Sequence, residues 1–179
     1  MTDSLYFDTD CLSAFLWVKA EYILTSLYSG KIRVPQQVYN ELSYPGTPQL
    51  KTRIDVLISN GSAAIEPIMT DAPEFNLYSK LTASPDQGYS IIGKGEAAAI
   101  ALASVSGGIV ASNNLKDVAR YVSYLGLRHI TTGDILVEAF KRALITEDNG
   151  NNTWSAMLAK KRKIGAASFS EYLHSGKYL

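Results

Sequence analysis

Short apolar runs recur along this chain, each stopping at a polar or turn residue and most leading into a helical stretch. Leu5-Tyr6-Phe7 stops at Asp8, Lys31-Ile32-Arg33-Val34 at Pro35, Ile109-Val110-Ala111 at Ser112, and His129-Ile130-Thr131 at Thr132. Ala63-Ala64-Ile65 is a fifth, weaker run. Apolar runs this short, bounded by turn residues, read as buried strands. Parallel neighbours require a crossover, usually a helix. The spacing therefore predicts an α/β fold: three α/β/α layers around a central, mostly parallel sheet.

The intervening segments supply the helices. Thr9 or Asp10 is placed to cap a helix carrying Leu12, Phe15, Leu16 and Val18. Pro35 is suited to opening a helix that runs through Val38 to Leu42. Pro45, Gly46 and Pro48 break it, and 49–60 reads as another amphipathic helix. Residues 74–81 are also helical, whereas 84–95, with Pro85, Gly88, Gly93 and Gly95, read as a loop. Glu96-Ala-Ala-Ala-Ile-Ala-Leu-Ala is the strongest helix signal, being rich in alanine and unbranched residues. Ser112-Asn113-Asn114 caps a helix over 115–125 that Gly126 closes. Thr132 or Asp134 caps the helix holding Ile135, Leu136 and Phe140. Asn149-Gly150-Asn151-Asn152 reads as a flexible break before a basic helix from Trp154 to Lys163. Residues 1–148 are thus expected to form one domain, and 149–179 a helical tail packed on it or extending from it.

Composition narrows the chemistry. The 46% hydrophobic content of 179 residues supports a real core, and 17 basic against 17 acidic residues give no bulk positive charge for nucleic-acid binding. That balance leaves a local basic face open. One cysteine, Cys11, and two histidines, His129 and His174, exclude a disulfide framework and cysteine- or histidine-rich metal centres. A metal here would be held by carboxylates and water, which suit hard ions such as Mg²⁺ or Mn²⁺. The opening MTDSLYFDTD lacks a basic segment before an apolar stretch, and no apolar run is long enough to span a bilayer. A cytoplasmic protein with no membrane partner is the expectation.

In an open parallel sheet, ligands bind beyond the carboxyl ends of the strands. Asp8 and Ser112-Asn113-Asn114 occupy such ends. Asp117 lies one turn further on, Glu96 opens the alanine-rich helix where the dipole favours a carboxylate, and Glu41 lies near the end of its own helix. Taken singly, each acid has an ordinary reading as a turn residue, first-turn acid or solvated surface. Their order and contexts together carry the argument.

Four segments bear a family resemblance. Leu5-Tyr-Phe-Asp-Thr-Asp-Cys-Leu resembles the opening strand of PIN-domain nucleases, whose first metal-binding aspartate would be Asp8. Val34-Pro35-Gln-Gln-Val38-Tyr-Asn-Glu41-Leu42 is similar to the family's second block, which supplies the next acid. Gly95-Glu96-Ala97-Ala-Ala-Ile100-Ala101-Leu102-Ala103 is similar to the third, and Ala111-Ser112-Asn113-Asn114-Leu-Lys-Asp117-Val118 to the last. The resemblance covers about residues 4 to 145. Many relatives carry Asp where this chain has Asn113 or Asn114.

The resemblance implies a metal-dependent ribonuclease, with VapC-type toxins as the best-known relatives. Asp8, Glu41, Glu96 and Asp117 would be both catalytic and metal-binding, holding Mg²⁺ or Mn²⁺ directly or through water. Ser112 and Asn114 would bond a ligand carboxylate or a scissile phosphate oxygen. Lys116 and Arg120, with Lys94 and the Lys160–Lys163 cluster, would face the RNA, and some of the 11 tyrosines would stack bases. If the chain is such a toxin, a small antitoxin protein would occupy the crevice and the toxin would form a homodimer. Two alternatives stay open: an inactive PIN-like module that binds RNA or protein, and a Rossmann-type nucleotide-binding domain. Against the second, no GxGxxG or GxxxxGK[ST] motif occurs. Trp17, Trp154 and Cys11 read as packing residues.

Overall fold

The computed structural model describes residues 3–178; Met1, Thr2 and Leu179, at the outer ends of the expected domain and tail, lie outside the described residues. Five strands, β1 (Leu5–Phe7), β2 (Ile32–Pro35), β3 (Ala63–Glu66), β4 (Ile109–Ala111) and β5 (Arg128–Ile130), form one sheet in the order β3-β2-β1-β4-β5. Every pairing is parallel. Among the described residues ten helices accompany them: α1 (Thr9–Trp17), α2 (Glu21–Tyr28), α3 (Gln36–Leu42), α4 (Pro48–Ser59), α5 (Pro73–Ala83), α6 (Lys94–Ser106), α7 (Leu115–Tyr124), α8 (Thr132–Lys141), α9 (Glu147–Ala159) and α10 (Phe169–His174). This is the three-layer α/β/α architecture with its sheet wholly parallel.

The period-2 alternation of a strand divides the core in two. Leu5 and Phe7 point into a cluster shared with α1, α2, α8 and α9, whereas Tyr6 joins Val110 and the buried faces of α6 and α7. The alanine-rich segment becomes α6, in which every residue from Ala97 to Ala103 is buried. A helix that is apolar all round belongs inside, and its small side chains let it pack against β1, β2 and β4 as well as α3, α5 and α7.

Several boundaries differ from expectation. Asp8 itself caps α1, accepting a hydrogen bond from the Cys11 N–H, so neither Thr9 nor Asp10 is the cap. Pro35 stands where α3 opens, as its N-cap, and is at the same time the last residue of β2. Thr131, not Thr132, caps α8, and Asp134 closes a reciprocal capping box with it. The helix α2 was not anticipated.

The expected flexible break at 149–152 lies inside α9. Thr146 caps that helix, with Asn149 returning the bond, and Gly150 is buried against the Phe169 ring, where a side chain would clash. Trp154 is fully buried and donates from Nε1 to Ala166 O at 3.0 Å. Its ring lies 5.4 Å from that of Tyr172 and 6.3 Å from that of Phe169. The Tyr172 hydroxyl donates to Asp134 Oδ1 at 2.9 Å, and its ring covers Gly133 so closely that a Cβ there would stand 2.5 Å away. Trp154, Met157 and Phe169 belong to the same buried cluster as Leu5 and Phe7. The C-terminal helices therefore complete the core. Among the described residues, no helix is long and apolar enough to cross a membrane.

Candidate active site

The strand order reverses between β1 and β4, which makes their carboxyl ends the switch point of the sheet. Asp8 stands there. Its N–H extends the ladder to Ala111 O at 2.9 Å, and its Oδ1 accepts from the Cys11 N–H at 2.7 Å. The residue is 1% exposed, and Oδ2 has no hydrogen-bond partner. Burial pushes the Asp8 carboxyl up to about 7, and the nearby charges of Glu96 and Asp10 add to this. The Ser112 hydroxyl and the Cys11 N–H oppose the rise without cancelling it. A buried carboxyl so weakly partnered favours holding a proton or a cation.

Across the switch point, Ser112 is fully buried, and its Oγ accepts the Asn114 N–H at 3.1 Å. Asn114 caps α7, and its amide nitrogen bridges two acids: Nδ2 donates to Glu96 Oε1 at 3.3 Å and to Asp117 Oδ2 at 3.0 Å. An amide has two hydrogens, so both carboxylates are served by one side chain. An aspartate in its place would add a third negative charge instead. This is a physical role for an asparagine at position 114.

Asn113 is used differently. Its amide donates to Thr132 Oγ1 and its carbonyl accepts the Thr132 N–H, both at 2.9 Å, tying the end of β4 to the start of α8. Glu41, at the exposed end of α3, accepts from the Thr9 hydroxyl. Gly95 lies beneath that pair: a Cβ there would be 3.0 Å from Thr9 Oγ1 and 3.3 Å from Glu41 Oε2. The glycine is what lets α6 enter so close to α1 and α3.

The structure thus gathers Asp8, Glu96, Asn114, Asp117 and Ser112 around the switch point, with Glu41 reached through Thr9. It also brings in Asp10, which sequence reasoning treated only as a competing cap. Asp10 is half-buried and its carboxyl is raised, first by burial and then by Glu96, against the lowering effect of Arg162 and Lys163. Arg162 Nη1 lies 3.3 Å from both Asp10 Oδ1 and Ser13 Oγ. One cation of the expected basic cluster is therefore committed to the site's own acid, a pairing across 152 positions that no local pattern reveals. The two-residue spacing of Asp8 and Asp10 was the available signal.

Lys116 and Arg120 are exposed on α7, the latter with its guanidinium 5.1 Å from the Tyr89 ring centre. Lys160 lies over Trp17 at 5.5 Å. Cys11 is buried and burial drives its thiol well above the ordinary range, so it is a packing residue and not a nucleophile. His129, lowered by burial, sets Nε2 against Ser112 O at 2.9 Å.

Among the described residues, no three of His, Cys, Asp or Glu converge closely enough to cage a metal ion. The bare Oδ2 of Asp8 beside Glu96 nevertheless fits a hard cation that keeps much of its water, as Mg²⁺ does when held by one or two carboxylates.

A wholly parallel α/β domain with acids at its switch point places those carboxylates where such sheets bind ligands. The chain belongs to the PIN-domain family: a family model described as PIN domain matches residues 5–177. PIN domains are generally nucleases that use divalent metal ions. The chain matches no curated protein.

Proposed function

We propose that this chain is a Mg²⁺- or Mn²⁺-dependent endoribonuclease that hydrolyses RNA phosphodiester bonds. The observation that carries the reading is the buried, partnerless Oδ2 of Asp8 next to Glu96 at the switch point. Asp8 and Glu96 would hold the ion; Asp117 and Glu41 would act on its water shell. When bound, the ion supplies charge neutralisation at the phosphodiester and a more acidic attacking water.

The chain's own groups do the rest. Asn114 holds the Glu96 and Asp117 carboxylates in fixed relation, and Thr9 orients Glu41. Ser112, buried against Asp8, keeps that carboxyl in place. Lys116 and Arg120 meet the backbone phosphates of the RNA from the exposed face of α7. A role as the cytoplasmic toxin of a toxin–antitoxin pair, with a small antitoxin protein over the crevice and a homodimeric toxin, follows the same family resemblance.

The test is cleavage of a mixed RNA pool by purified protein, with Mn²⁺ or Mg²⁺ against EDTA, alongside Asp8→Asn and Glu96→Gln. Metal-dependent cutting lost in both variants is the expected result. Folded protein that cuts nothing under either metal would instead favour an inactive RNA- or protein-binding module.

A further inference from the structure

We propose that the cavity between the C-terminal segment and the carboxyl ends of β4 and β5 is a nucleobase subsite, receiving the base next to the scissile phosphodiester. The proposal rests on the ribonuclease reading above. The cavity measures about 540 Å³, within the roughly 300–1,000 Å³ of small-molecule sites. That is room for one nucleoside and not for a duplex.

Its position supports this occupant. Asn113 lines the cavity and lies in the chain between Ser112 and Asn114 of the candidate active site. Lys163, also on its wall, is near enough to act on the charge of Asp10. The cavity thus adjoins the candidate site through Asn113 and Lys163, and a strand with one phosphate at Asp8 and Glu96 would have its neighbouring nucleotide on this side.

The walls suit a base. Tyr172 is fixed at its hydroxyl by Asp134 and Thr131 and rests on Gly133, so its ring is a rigid surface. Leu115, 54% exposed at the start of α7, and Ile164 add apolar area. Aromatic and apolar surfaces of this kind take any base by stacking. Discrimination has a source in His129. Ser112 O can only accept, so Nε2 carries the proton, and the neutral ring of this lining residue keeps Nδ1 as an acceptor that a base N–H could use. Lys163 and Lys177, both exposed, offer cations to a flanking phosphate, while the two acids of the lining are engaged, Glu171 by the Ala167 N–H and Asp134 by the Tyr172 hydroxyl. An acidic peptide would satisfy the lysines, but it has no reason to adjoin the carboxylates.

The experiment has two arms. In EDTA, hexaribonucleotides of each single base are titrated into the protein while the His129 ring resonances are followed by NMR. With Mn²⁺, the bases flanking the cuts in a random RNA pool are mapped. Both arms include Ser175→Trp, which fills the cavity from its exposed wall, and Lys163→Met/Lys177→Met, which removes charge with little change of shape; thermal midpoints check folding. The expected result is a His129 response strongest for one base, which is also enriched beside the cut. Ser175→Trp abolishes the response and flattens the preference about tenfold, and the double-lysine variant weakens binding of all four oligomers.

Cutting with an unmoved His129, and an unchanged preference in Ser175→Trp, would overturn the subsite and leave the nuclease standing. A His129 response without any cutting would support the base site and overturn the nuclease instead. A response to a peptide selected from a random library, with none to RNA, would overturn the nucleobase assignment in favour of a protein segment.

Discussion

Replacing Asp8 with asparagine separates the chemistry of this carboxyl from its shape. The amide keeps the size, and asparagine caps a helix as well as aspartate does, so the Cys11 N–H retains its acceptor. What disappears is a charge that the fold resists. In the unfolded chain the group titrates near its ordinary 3.8, and in the native state near 7. The folded state therefore binds more protons between those values, and its stability falls as pH rises through them, levelling off above the folded value. At about 1.4 kcal/mol per pH unit, the full loss is roughly 4 kcal/mol, of which about 2.5 kcal/mol falls between pH 5 and pH 8. Urea unfolding followed by tryptophan fluorescence in EDTA, at several pH values across that window, gives the comparison. The wild-type curve should decline relative to Asp8→Asn by this amount. Adding Mn²⁺ at pH 8 should recover stability in the wild type only, since an ion that binds only the native state stabilises it. Parallel pH profiles for the two proteins would refute the account of a buried, partnerless carboxyl.

Three further outcomes are expected. Asn114→Ala removes a helix cap and the donor shared by Glu96 and Asp117, so stability should fall by about 1 kcal/mol and metal-dependent cleavage should fall more steeply than that loss explains, as urea melts and initial rates would show. Gly150→Ala forces a methyl into the buried Phe169 ring and should cost about 1–3 kcal/mol, while Trp154→Ala should cost about 3–5 kcal/mol; unchanged melting temperatures would contradict the packing of the tail. Lys116→Ala with Arg120→Ala should weaken RNA binding for all sequences alike and flatten its dependence on salt, measured by fluorescence anisotropy from low to moderate ionic strength.

Much of the fold was readable because its signals are local. Strand runs ending at Asp8 and Ser112 and the alanines of α6 declare themselves within a few residues, whereas Pro48 and Pro73, read as lying outside helices, prove to be the first residues of α4 and α5. The helix α2 declares nothing: it follows Lys19 at φ +62°, and its N-cap, Ala20, has no side chain to cap it. The Asn-Gly-Asn-Asn segment misled because its glycine answers a distant ring, Phe169, and not a local turn. The same distinction holds at the site. The acids were visible as helix- and strand-end residues, but Asn114 serving two of them and Arg162 held by Asp10 depend on contacts between remote segments. Tyr172, His129 and the cavity they line were not legible at all, since nothing in their own neighbourhoods marks them.

The dependence of the core on Trp154 and Phe169 has a consequence for the order in which the protein is made. Translation delivers Asp8, Glu41, Glu96 and Asp117 early, yet the cluster containing Leu5 and Phe7 closes only when α9 and α10 have emerged and docked. Nascent chains acquire structure from the amino end as they lengthen, so a ribosome-bound intermediate carries every acid of the site on an unfinished scaffold. Closure then arrives abruptly, once α9 and α10 have docked, and a chain interrupted before Phe169 has an open core.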